Sequence, residues 1–165
     1  MKPNPTYDIH RSYEANYQAG PSIREKAPQR RLTRRERFLG FEINSRIGIP
    51  AGPLLNARWI RAYAELGFDL LVYKTVRTCE TPSHPNPNCM FLNIDDQIKE
   101  DDFGKPLVAT MDAPLEIDRV SITNSFGMPS RAPEIWQADL QKAKAGLGEG
   151  QVLIVSVVGT PGVEG

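Results

Sequence analysis

The chain has 165 residues, 40% of them hydrophobic, which is enough for one globular core and too much for a disordered polymer. Lys plus Arg and Asp plus Glu number 20 each, so there is no excess positive charge of the kind a general nucleic-acid binder uses. Cys79 and Cys89 lack a C-x-x-C partner or a His-rich cluster, which argues against zinc and against a disulfide framework; both are expected as free thiols in a reducing compartment.

Residues 1–37 are polar, proline-bearing and finally basic, with Arg30, Arg31, Arg34, Arg35 and Arg37 close together. They read as an extension outside the core, the arginines forming either a solvated face or a phosphate- or membrane-facing patch. No apolar run approaches the roughly 18 residues of a membrane span, and the first residues lead into polar sequence rather than a signal-peptide core. A cytoplasmic location is expected.

Apolar patterning begins at Phe38-Leu39-Gly40-Phe41-Glu42-Ile43, turns at Asn44-Ser45-Arg46 and resumes at 47–52, which predicts a hairpin feeding a first core strand. Helical spacing of Ile60, Tyr63, Ala64 and Leu66, with Gly67 as a stop, predicts a helix over 57–66. Residues 69–76 then read as a buried strand carrying Lys74 near its end, where an ammonium needs a reason. Pattern alone leaves two: a ligand, or a lysine snorkelling past the sheet edge.

Five prolines between 82 and 114 predict loops with a small hairpin, and 120–124 reads as a strand delivering Asn124 to a turn. Pro133 opens a helical pattern through Ile135, Trp136, Leu140, Ala143 and Leu147, closed by Gly148. The continuous apolar run 152–158 predicts a strand buried on both faces. This alternation of strands and helices points to an α/β fold with a parallel sheet, either doubly wound or a barrel.

The segments FLGFEINSRIGIPAG (38–52), GFDLLVYKTV (67–76), NSFGMPS (124–130) and VLIVSVVGT (152–160) together resemble the dihydroorotate dehydrogenases, flavin enzymes of pyrimidine synthesis built on a (β/α)8 TIM barrel. NSFGMPS is the most specific of the four, and the lysine on the second strand is more like the soluble members. The resemblance implies a barrel preceded by a β-hairpin. A complete barrel takes about 250 residues and at least about 200, so only its N-terminal portion is expected over 38–165.

The resemblance further implies FMN as cofactor, contacted by Ala51, Gly52, Lys74 and Thr75, and a pyrimidine substrate contacted by Lys74, Asn124, Phe126, Gly127 and Met128. A fixed cation beside the flavin stabilises negative charge on the reduced ring. An amide that donates and accepts suits a pyrimidine edge, although an Asx-type turn accounts for Asn124 equally well on pattern. Two departures stand out: Ser130 where many members place a second Asn, and 85–89 where a glycine-asparagine-proline segment is common. The family's catalytic Cys or Ser lies after the fourth strand and its phosphate loops near strands seven and eight, so the base is expected beyond Gly165; Cys79 and Cys89 fall too early for it. His10 and His84 read as solvated residues. The activity implied is oxidation of dihydroorotate to orotate by a longer enzyme, with a homodimer as the assembly considered, no metal and an inactive isolated chain. Alternatives are a flavoenzyme acting on another pyrimidine, or a non-catalytic half-barrel serving binding or assembly.

Overall fold

The computed structural model describes residues 6–23, 35–94, 98–114, 116 and 120–159. Arg30, Arg31 and Arg34 of the basic run lie outside the described residues.

The first described element, α1 (Tyr13–Ala19), starts at Ser12, whose hydroxyl accepts the Ala15 N–H, and stops at Gly20 with φ +79°. Tyr13 and Asn16 on its inner face are buried, and Tyr13 joins the central apolar cluster. This part of 1–37 is therefore core, contrary to the extension expected. Asn16 succeeds there because its amide is fully used: Nδ2 donates to the carbonyls of Asp8, Arg11 and Ser12, and Oδ1 accepts the Asp8 N–H.

Strands β1 (Glu36–Phe38) and β2 (Phe41–Ile43) form the hairpin. Its turn is Leu39-Gly40, both at positive φ (48° and 88°), the two-residue geometry whose twist matches paired strands, and not the expected Asn44-Ser45-Arg46.

A parallel sheet follows in the order β3 (Gly48–Ile49), β4 (Leu70–Val76) and β8 (Val152–Val157), with β4 in the centre. Helix α2 (Ala57–Glu65) crosses from β3 to β4; Asn56 caps it by accepting the N–H groups of Arg58 and Trp59. Helix α3 (Pro133–Ala145) begins at a proline and precedes β8, with Lys142 and Lys144 on its negative C-terminal end. Both helices pack Trp59, Ile60, Ala64 and Ala143 onto Leu71, Tyr73 and Val76 of β4.

Between β4 and α3 the chain builds a second, antiparallel sheet in the order β6 (Ala109–Thr110), β5 (Cys89–Leu92) and β7 (Ile122–Asn124). Asn124 thus leaves an exposed antiparallel strand rather than a strand of the parallel sheet. The expectation that β8 is buried on both faces also gives way: Val155 and Val157 are 41% and 65% exposed, because among the described residues β4 is its only strand neighbour. The described fold is mixed α/β, and its three parallel strands do not close into a barrel.

Candidate functional site

Lys74 lies at the cavity end of β4, where pairing with β8 loses its regular register between Tyr73 and Val76. In an unbroken strand neighbouring side chains take opposite faces. Here Tyr73 and Lys74 are both buried, at 2% and 8% exposure. Tyr73 anchors the strand: its hydroxyl donates to Asp139 Oδ2 on α3 at 2.7 Å, the oxygen that also accepts the first N–H of α2, from Ala57, at 2.6 Å. Burial, followed by that hydrogen bond, raises the Tyr73 pKa and keeps the phenol protonated.

The Lys74 ammonium has no such partner. Its backbone N–H donates to Leu54 O at 2.9 Å, but no described carboxylate or carbonyl meets its Nζ. Burial and, secondarily, the Arg77 charge lower its pKa. A desolvated cation without a counterion is costly in a folded protein and is relieved by an anionic or electron-rich ligand.

Space for one is present. A cavity of about 600 Å³ opens over Lys74, within the range of small-molecule sites. Its walls are the inner side of α1 (Ser12, Tyr13, Glu14, Tyr17), the end of β4 with Thr75 and Val76, the loop 80–86, and Pro129, Ser130, Arg131 and Trp136 before and on α3.

Of the residues singled out from the sequence, the structure brings Lys74 and Thr75 to this cavity. Thr75 Oγ1 shares a 2.9 Å hydrogen bond with Ser156 on β8. Ala51 and Gly52 form the turn after β3, outside the cavity lining; nothing stands within 4 Å of where a Gly52 Cβ would lie. Asn124 is exposed at the end of β7. Phe126 turns toward α1 and packs edge-on against Tyr7 at 5.7 Å and, tilted, against Tyr13 at 6.0 Å. Gly127 (φ +76°) lies against the His84 ring, and Met128 (φ +48°) is half exposed while its carbonyl accepts from Arg77 Nε at 3.1 Å. None of these four lines the cavity.

Ser130 does line it, with a clear structural role. Its backbone exchanges two 2.9 Å hydrogen bonds with Thr81, and its hydroxyl accepts the Arg77 N–H at 3.0 Å, which ties the loop after β4 to the entry of α3. His84 is more engaged than a solvated residue: its backbone N–H donates to Phe126 O, and Nδ1 lies 3.1 Å from Ser125 O. Sequence reasoning also passed over Tyr13, Tyr17 and Arg131; the Ser12 cap and the 13/16/17 spacing were the available signal for the helix that carries two of them. Cys79 and Cys89 are free thiols, and burial pushes the Cys89 pKa up. Among the described residues no His/Cys/Asp/Glu cluster suits a metal, and no helix is long and apolar enough to cross a membrane.

Among the described residues, then, a parallel β/α sheet carries a buried lysine without a carboxylate partner at a strand end, facing a ligand-sized cavity, which is where α/β proteins build small-molecule sites. The chain is 43% identical over 168 residues to the dihydroorotate dehydrogenase of Dictyostelium discoideum, a match covering 94% of this chain and 44% of that protein. In sequence, then, it is similar to a dihydroorotate dehydrogenase, and it spans less than half the length of that relative. No family model matches the chain, and no solved structure does.

Proposed function

We propose that residues 38–165 are the N-terminal part of an FMN-dependent (β/α)8 enzyme that oxidises dihydroorotate to orotate in pyrimidine synthesis, and that β3, β4 and β8 are the first strands of its barrel. The observation carrying this is Lys74: a largely buried lysine that meets no carboxylate among the described residues, in a chain similar to a dihydroorotate dehydrogenase. The residues fit a flavin in that one decisive respect, since a fixed desolvated cation matches the negative charge of a reduced isoalloxazine.

Bound FMN supplies a two-electron acceptor for hydride. With FMN bound, Lys74 would face the ring and orient the substrate, and the burial that lowers its pKa would also strengthen its attraction for an anion. Thr75 offers its hydroxyl beside it, and the small Ala51-Gly52 turn leaves the backbone open to close approach. Asn124, Phe126, Gly127 and Met128 stand outside the Lys74 cavity as described, so their role as a substrate loop, with the Asn124 amide on the pyrimidine edge, rests on the motif alone and would require the loop to move toward Lys74. The proton-abstracting base comes from the part of the full-length protein outside the matched length. The isolated chain is accordingly inactive; the full enzyme is cytoplasmic and acts as a homodimer.

The test is Lys74→Ala in the full-length protein, measuring flavin content and the rate at which dihydroorotate bleaches the flavin. Loss of a charge contact worth about 3 kcal/mol in the transition state slows bleaching a hundredfold or more. Normal flavin content with near-wild-type bleaching overturns the assignment. Bleaching of the wild-type protein by dihydrouracil but not by dihydroorotate transfers the site to another pyrimidine.

A further inference from the structure

Helix α1 has only 7 residues, too few to hold itself in place, yet it forms one wall of the Lys74 cavity. Its C-terminal carbonyls are held from α2: Tyr17 O accepts from Asn56 Nδ2 at 2.9 Å, and Gln18 O and Ala19 O accept from Arg58 Nη1 at 2.6 and 3.1 Å. On the cavity side, beside the packing of the buried Tyr13 ring, the polar attachment is Arg131. Its guanidinium pairs with Glu14 of α1, approaches Glu80 of the opposite wall at 3.7 Å, and stacks 4.8 Å over the Tyr17 ring, with the side chain only 25% exposed. One planar cation thus joins α1, the loop after β4 and the entry to α3. That combination of a fork and a flat face belongs to arginine and not to lysine.

We propose that Arg131 is a positioning residue that seats α1 over Lys74, so that a helix from the N-terminal segment controls the access of water and ligand to the ammonium. Releasing the guanidinium frees the cavity-facing side of α1 while the α2 contacts keep its C-terminal end attached. Part of this inference rests on the proposed function, namely that the ligand at Lys74 is FMN; the wall itself does not.

The readout is acetylation of Lys74 by an N-hydroxysuccinimide ester, followed by mass spectrometry in the full-length protein after flavin removal, with exposed Lys142 on α3 as internal reference. Arg131→Met and Glu14→Gln each raise the Lys74 rate at least tenfold with Lys142 unchanged, and Arg131→Lys recovers only part of the protection. Lys74 rates within twofold of wild type in both Arg131→Met and Glu14→Gln overturn the proposal. Should Arg131→Met unfold the protein, visible as a loss of cooperative thermal melting, Glu14→Gln alone decides by the same thresholds. Added FMN slows Lys74 acetylation in the wild-type apoprotein; if it does not while the variants still rise tenfold, the wall stands and the flavin reading falls.

Discussion

Asp139→Ala strikes the junction on which Lys74's strand is anchored. One carboxylate oxygen accepts both the Tyr73 hydroxyl, at 2.7 Å, and the first N–H of α2, at 2.6 Å. Truncation therefore leaves two donors unpaired, on residues only 2% and 3% exposed. An unsatisfied buried donor costs about 1–3 kcal/mol, and a hydrogen bond to a charged group contributes about 1.5–3 kcal/mol. With partial relaxation the loss is about 3 kcal/mol, or a fall in melting temperature of roughly 6–12 °C for a chain of this size. Tyr73→Phe removes one bond and leaves Asp139 still capping α2, so it costs about 1 kcal/mol. Urea denaturation of the full chain with both variants measures the two values on one scale. The reasoning is refuted if Asp139→Ala lies within about 0.5 kcal/mol of wild type, or if Tyr73→Phe costs as much as Asp139→Ala.

Three further outcomes are expected. Because burial lowers the Lys74 pKa, the unfolded chain binds more protons than the folded one between the folded value and the ordinary lysine range; stability therefore rises with pH through that window, and Lys74→Met, which removes the buried charge, raises the neutral-pH melting temperature and abolishes the rise. A thiol reagent at neutral pH modifies exposed Cys79 at least tenfold faster than Cys89, whose burial keeps it protonated and shielded, as mass-resolved labelling will read; equal rates would contradict the placement. Val157→Lys puts a charge on the exposed end of β8 and shifts the isolated chain toward monomer in light scattering at matched concentration, whereas unchanged association would mean that this edge does not mediate it.

The most legible feature of the site was Lys74, because a charge inside a β-branched run is a local contradiction that needs no partner to be noticed. Helices α2 and α3 were legible for a similar reason: Asn56, Pro133 and the glycines that follow each helix act within a few residues of it. What sits beside a strand is not local. The run 152–158 is equally apolar whether sheet neighbours cover one edge or two, so the exposure of Val155 and Val157 could not be read from it. The small hairpin expected between 82 and 114 is present as the antiparallel pair β5 and β6, but strands of four and two residues are too short for a pattern to fix their bounds or their pairing with β7. Helix α1 was hidden by its polar company, since the buried role of Asn16 depends on three backbone carbonyls that no pattern announces. The loop at 124–128 shows the limit of motif resemblance: it named the residues and left open how far they stand from Lys74.

The seating of α1 also bears on the order in which the molecule is made. Glu14 and its partner Arg131 are 117 positions apart, and the carbonyls of Tyr17, Gln18 and Ala19 wait for donors about 40 residues downstream. During synthesis from the N-terminus the helix leaves the ribosome long before any of its attachments exist, and a seven-residue helix has little stability alone. It can dock first on α2 and finally on Arg131, so a segment synthesised before its partners is among the last to find its place. Until then the Lys74 side of the nascent sheet stays open to solvent, and a chain stalled before residue 131 lacks the closing contact altogether.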